Sequence, residues 1–183
     1  MWATNDDGKK HSEQIEMNFF TEAYEHATGM ELTILYSIES PDFLCRKDNN
    51  DIVGVELTKV IIDYDCVYKV TDVTPEDEAD PIRILDEAWS AIEIKDAKRK
   101  KLYGELKDKT ILVLQLHDCP LESLMPFIHE NTKSDYSSTG FIEIWLADYT
   151  RNEAYGDIEL FGLHPEKYWG FSKRPGPDRK PFG

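Results

Sequence analysis

The chain has 183 residues and 21.2 kDa, of which 40% are hydrophobic and 11% aromatic, so it is large enough to bury a core without metal or disulfide staples and too apolar to be disordered. Thirty-six acidic against 21 basic residues give a net charge of -15, a field that repels phosphate backbones and anionic membranes unless divalent cations or a local basic strip intervene. The same charge suits a protein that binds basic partners. No stretch approaches the roughly 20 apolar residues of a membrane span, and the first residues hold no apolar signal core. With three cysteines, Cys45, Cys66 and Cys119, and no C-x-x-C pair, reduced thiols and a cytoplasmic setting are expected.

In chain order, residues 1–11 read as a polar, flexible arm, and Ser12 as the cap of a helix from Glu13 to Thr28 that Gly29 ends. Ile15, Phe19, Ala23 and Ala27 supply its apolar face, with Glu16 at the border of that stripe. Leu32 to Ile38 predicts a first strand. Ser40 to Cys45 predicts a second, entered through Pro41, and Ile52 to Val60 a third, with the turn Lys47 to Asp51 making a hairpin of the last two. Asp63 to Asp80 is strongly acidic and is expected to be an exposed loop.

From Pro81 to Leu106 the period becomes helical. Its core stripe runs Ile84, Ala88, Ile92, Lys95, Arg99 and Leu102, which puts a lysine in line with the apolar face; long stems also snorkel, so Lys95 fits an ordinary flank position equally. Thr110 to His117 is a near-continuous apolar run, as in a central strand buried on both faces and paired in parallel after a helical crossover. A short helix opened by Asp118 and Pro120 follows, then strands Phe141 to Tyr149 and Asp157 to Leu163. The fold class expected is α/β: one domain with a mixed central sheet, flanking helices, an α-β-β-β-α-β core and added C-terminal strands. Residues 164–183 read as an irregular tail, rich in aromatics and basic residues, with Tyr168, Trp169 and Phe171 suited either to packing on the domain or to stacking on bases.

The chemistry-bearing stretch is the hairpin. Asp42 and Glu56 sit on paired strands and are placed to converge, and carboxylate oxygens plus a backbone carbonyl at Leu57 suit a hard cation, Mg²⁺ or Mn²⁺. Such an ion activates water and neutralises charge on a scissile phosphate, with a lysine to orient the nucleophile. Asp42 equally fits a turn carboxylate and Glu56 a half-exposed strand position. His117, Asp118, Cys119 and His129 match no common zinc spacing, and Gly-rich phosphate loops and G-x-S-x-G elbows are absent.

Pro41-Asp42 followed by Val53-Gly54-Val55-Glu56-Leu57-Thr58 resembles the PD-(D/E)XK nuclease superfamily, in element order from about Ser12 to His117. The resemblance implies a restriction-endonuclease-like fold, Mg²⁺-dependent hydrolysis of phosphodiester bonds in DNA or RNA, Asp42 and Glu56 as metal ligands, and a catalytic lysine two positions after the acid. That position holds Thr58. Lys59 is one residue late and, by strand alternation, faces away from Glu56. Some members of the superfamily carry the basic residue on the following helix, which nominates Lys95. The competing expectation is an acidic binding protein, of immunity or inhibitor type, for a basic protein partner.

Overall fold

Seven strands form one sheet whose spatial order is the chain order, in a computed structural model that describes residues 5–62, 80–150 and 158–172. They are β1 (Leu32–Ser37), β2 (Phe43–Lys47), β3 (Ile52–Val60), β4 (Thr110–Leu116), β5 (Glu143–Asp148), β6 (Glu159–His164) and β7 (Gly170–Ser172). β1, β2 and β3 pair antiparallel, β3, β4 and β5 parallel, and β5, β6 and β7 antiparallel. The described helices are α1 (Asn5–Thr28), α2 (Pro81–Leu102), α3 (Leu121–Leu124) and α4 (Lys133–Ser137). The domain is α/β with a mixed sheet, as the alternation of apolar runs predicts.

Parallel neighbours need crossovers, and right-handed crossovers that advance one strand at a time put their helices on one face. Accordingly Ile84, Ala88 and Ile92 of α2 and Leu121 and Leu124 of α3 share a core with Val60, Leu112, Leu114, Ile144 and Leu146. Met17, Phe20 and Tyr24 of α1 cover the other face, against Val55, Leu57, Ile111, Val113 and Trp145. β4, between the two layers, is buried along its whole length. Its continuous apolar run is the signature of that position.

Several boundaries differ from the sequence reading. Residues 5–11 of the expected arm belong to α1, so Ser12 lies inside the helix and does not cap it. Asp6 and Asp7 complement the positive end of the helix dipole, and the pairs Lys10–Asp6 and Lys9–Glu13 join successive turns. The buried face is also rotated: Ile15 is 42% exposed, while Met17, Phe20, Ala23 and Tyr24 are buried. Tyr24 and Phe20 remove more apolar area from water than Ile15 and Ala27 would, and they decide the rotation. Gly29, at φ 73, ends α1 as expected.

The Asp80 carboxylate caps α2 by accepting from the Ile82 amide at 3.0 Å. α2 stops at Leu102, not Leu106, because Gly104 turns the chain at φ 53. Leu102, expected in the core stripe, is exposed, and Tyr103 is buried in its place. Within the expected tail, Gly170–Ser172 forms β7 on the sheet edge. Tyr168 packs on Trp145 with ring centroids 5.4 Å apart, and Trp169 meets Phe161 edge-on at 5.5 Å. Two of the rings considered for base stacking are therefore used in packing. The acidic segment (63–79), Cys66 and the basic residues Lys173, Arg174, Arg179 and Lys180 lie outside the described residues.

A buried ionic knot stiffens the α1 face. The Glu143 carboxylate accepts from Tyr24 Oη at 3.0 Å, Lys47 Nζ at 2.6 Å and Trp145 Nε1 at 2.9 Å, so α1, β2 and β5 meet on one satisfied charge.

Candidate functional site

β2 and β3 pair from Arg46↔Ile52 to Phe43↔Val55. Beyond Phe43 the β2 partner ends, and the upper half of β3 becomes an open edge. Gly54 controls how the chain enters there: a Cβ on Gly54 would lie 2.4 Å from Pro41 Cγ, so the proline ring rests on bare backbone. Asp42 follows directly, and its Oδ2 accepts the Leu57 amide at 2.8 Å. A side-chain oxygen thereby takes the place of the ladder partner that β2 no longer offers. In a strand the N–H and C=O of one residue point the same way, so the Leu57 carbonyl faces the same edge. Gly54→Ala is expected to displace Pro41 and lower stability by about 1–3 kcal/mol, the usual cost of overpacking, read as a shift in the urea midpoint.

Glu56 lies on the α2 face, 0% exposed. Its Oε1 accepts from Lys95 Nζ and, at 3.1 Å, from Lys98 Nζ. These two lysines are one turn apart on α2 and share a face, with side chains 22% and 29% exposed. The second oxygen, Oε2, is buried without a hydrogen bond, as are Thr58 Oγ1 and the Tyr103 hydroxyl. The Tyr103 phenol is nonetheless close enough to feel Glu56: burial first, then the Glu56 charge, push its pKa up. Lys98 Nζ stands 5.7 Å from the centre of the Tyr103 ring.

Burial, and after it the Glu56 charge, push the Asp42 carboxyl up to about 6, against the opposing pull of the Leu57 amide and of Lys95; Glu13 adds a further upward push. Two acids, Asp42 and Glu56, thus face two lysines, Lys95 and Lys98.

Lys59 points to the α1 face, where its Nζ is 3.4 Å from Glu16 Oε1. Gln115 Nε2 donates to Glu16 Oε2 at 2.9 Å. A cleft of about 390 Å³ runs over the open edge, bordered by Ser12, Glu13 and Glu16 of α1, Leu57, Thr58 and Lys59 of β3, and Lys95 of α2. Of the residues nominated from sequence, Asp42 bonds the Leu57 amide at the β3 edge, Lys95 reaches Glu56 from the helix, and the Glu56 and Lys95 charges both act on Asp42. Lys98, Tyr103 and Glu13 were not nominated. Lys98 follows from Lys95 by the i, i+3 rule, and Tyr103, the C-cap of α2, follows from Arg99 by i, i+4.

Carboxylate and carbonyl oxygens are the donor types a hard divalent cation takes. Mg²⁺ takes one or two carboxylates with waters in the remaining positions; here Asp42 bonds the Leu57 amide and feels the Glu56 charge, and Glu56 Oε2 lies buried near the Tyr103 phenol. Among the described residues no group of three or more His, Cys, Asp or Glu side chains is placed to hold a metal. His117 stacks on Tyr149 with centroids 5.4 Å apart, and burial, then Lys59, lower its pKa.

No family model, no curated protein and no solved structure matches this chain.

Proposed function

We propose that the chain is a Mg²⁺- or Mn²⁺-dependent nuclease that hydrolyses phosphodiester bonds in DNA, with RNA as the alternative substrate. The observation that carries this reading is the approach of Lys95, from a helix, to Glu56 beside Asp42 at an open strand edge. Asp42, Glu56 Oε2 and the Leu57 carbonyl would hold the ion, and when bound it supplies charge neutralisation and a more acidic water. Lys95 is ion-paired to the Glu56 carboxylate and lines the cleft, so it is placed to donate to a phosphate oxygen as negative charge develops there. Lys98 holds the same Glu56 oxygen from the next turn of α2, so Glu56 keeps a partner when Lys95 engages substrate. The proposed setting is cytoplasmic: Cys45 is a buried thiol, pushed up to about 12 by burial. No helix among the described residues is long and apolar enough to cross a membrane.

A second reading rests on the charge balance of the same cluster. Glu56 is wholly buried and already shared by two lysines, which suits a structural knot in an acidic protein that binds a basic protein partner without catalysis.

Purified protein incubated with plasmid and with single-stranded substrates in Mn²⁺ or Mg²⁺ separates the two. Cleavage is expected, lowered at least about a hundredfold in Glu56→Gln and in Lys95→Met, with circular dichroism confirming that both remain folded. Absence of cleavage, or activity that survives Glu56→Gln, overturns the nuclease reading. Calorimetry with Mn²⁺ reads the ion directly.

A further inference from the structure

On the α2 face, away from the cleft, a pocket of about 420 Å³ opens between the first turns of α2 and the segment that carries α4. Its apolar lining includes Ile82, Trp89, Phe127 and Tyr136, and Asp86 and Asp135 stand among these residues. Ile82 is 53% and Phe127 41% exposed, so apolar area faces water at the mouth. Trp89 and Tyr136 meet edge-on with centroids 5.7 Å apart.

The aromatic row continues from Tyr136 to Trp169, whose centroid is 6.3 Å away. At that far end the fold already places a cation on a ring: Lys133 Nζ lies 5.0 Å over Trp169 and is 3.6 Å from Glu166 Oε1. One end of the row thus combines ring, cation and carboxylate. The other end has rings, two carboxylates and the His129 imidazole, and among the described residues no Lys or Arg lies over Trp89 or Tyr136 and neither Asp86 nor Asp135 is in an ion pair.

We propose that this pocket binds the arginine side chain of a basic protein segment, the aliphatic stem lying on Phe127 and Ile82 and the guanidinium over Trp89 or Tyr136 between Asp86 and Asp135. A flat, weakly hydrated cation matches aromatic faces and carboxylates together, which phosphate or a neutral ring does not. The net charge of -15 attracts such a segment from a distance. The inference is independent of the nuclease reading, since it uses none of that site's residues.

The probe is an acetylated, amidated Gly-Gly-Arg-Gly-Gly peptide, titrated into the full chain at low salt and followed by the NMR signal of the Trp89 indole N–H. Saturable shifts are expected, with a dissociation constant on the order of a millimolar. The same peptide with citrulline in place of arginine, neutral but nearly isosteric, is expected to bind at least about tenfold more weakly, as is the arginine peptide to Asp86→Asn/Asp135→Asn. Both aspartates are exposed, so that variant remains folded, and metal-dependent cleavage is expected to be unchanged in it. No Trp89 response to the arginine peptide, or equal responses to arginine and citrulline, overturns the proposal. So does undiminished binding by the double asparagine variant.

Discussion

Replacing Lys95 and Lys98 together by methionine is expected to destabilise the domain by ~3–5 kcal/mol at neutral pH, read from the urea midpoint. The two ammonium groups share Oε1 of a carboxylate with no solvent exposure, so their removal leaves Glu56 as an uncompensated buried charge. Lys95→Met alone should cost much less, because Lys98 remains at 3.1 Å. Adding Glu56→Met to the double variant should restore most of the loss, since replacing a whole buried ionic group by apolar residues of similar volume is often neutral. A double variant within about 1 kcal/mol of wild type would mean that Glu56 finds another donor. The buried, unpartnered Tyr103 hydroxyl is the nearest candidate, and Tyr103→Phe in the same background would expose that rescue.

How far such a cluster can be read from sequence depends on whether its members share an element. Strand alternation alone separates Glu56 and Thr58 from Lys59, and the structure puts Lys59 on Glu16 across the sheet. The same kind of periodicity singles out Lys95 within an apolar stripe, and one more turn reaches Lys98. Tyr103, the C-cap, keeps helical register four residues after Arg99, so i, i+4 spacing reaches it as well as i, i+3 reaches Leu102; which of the two is buried is settled only by the packing. The Glu143 knot escapes such spacing altogether. Its partners Tyr24 and Lys47 lie 119 and 96 positions away, and only the closed sheet brings them together. The rotation of α1 was a matter of magnitude: two interleaved apolar stripes compete, and the one with the larger rings is buried. Local periodicity therefore carried the elements and the half of the site that lies on one hairpin and one helix, while contacts between distant elements required the fold.

Asp42 is expected to make the domain lose stability as the pH rises from about 4 to about 6, the opposite of an ordinary ion-paired aspartate. In the folded chain the carboxyl is pushed up to about 6, against a reference value of 3.8. Between those values the folded state holds a proton that the unfolded chain has released, so it is the protonated folded form that gains; above about 6 the gain is gone. A separation of about two units corresponds to ~3 kcal/mol, reduced in practice because part of the carboxyl meets solvent. Asp42→Asn keeps an oxygen for the Leu57 amide and cannot ionise, so its urea midpoint should lack this component and exceed that of wild type above pH 7. Parallel slopes for the two proteins would show that Asp42 titrates normally and does not share the field of Glu56. A residue that weakens its own fold at neutral pH acts as a stored electrostatic strain, which a cation between the two carboxylates would relieve. If the site takes metal as proposed, Mn²⁺ should therefore stabilise wild type most above pH 6 and flatten its pH slope, while leaving Asp42→Asn nearly unmoved.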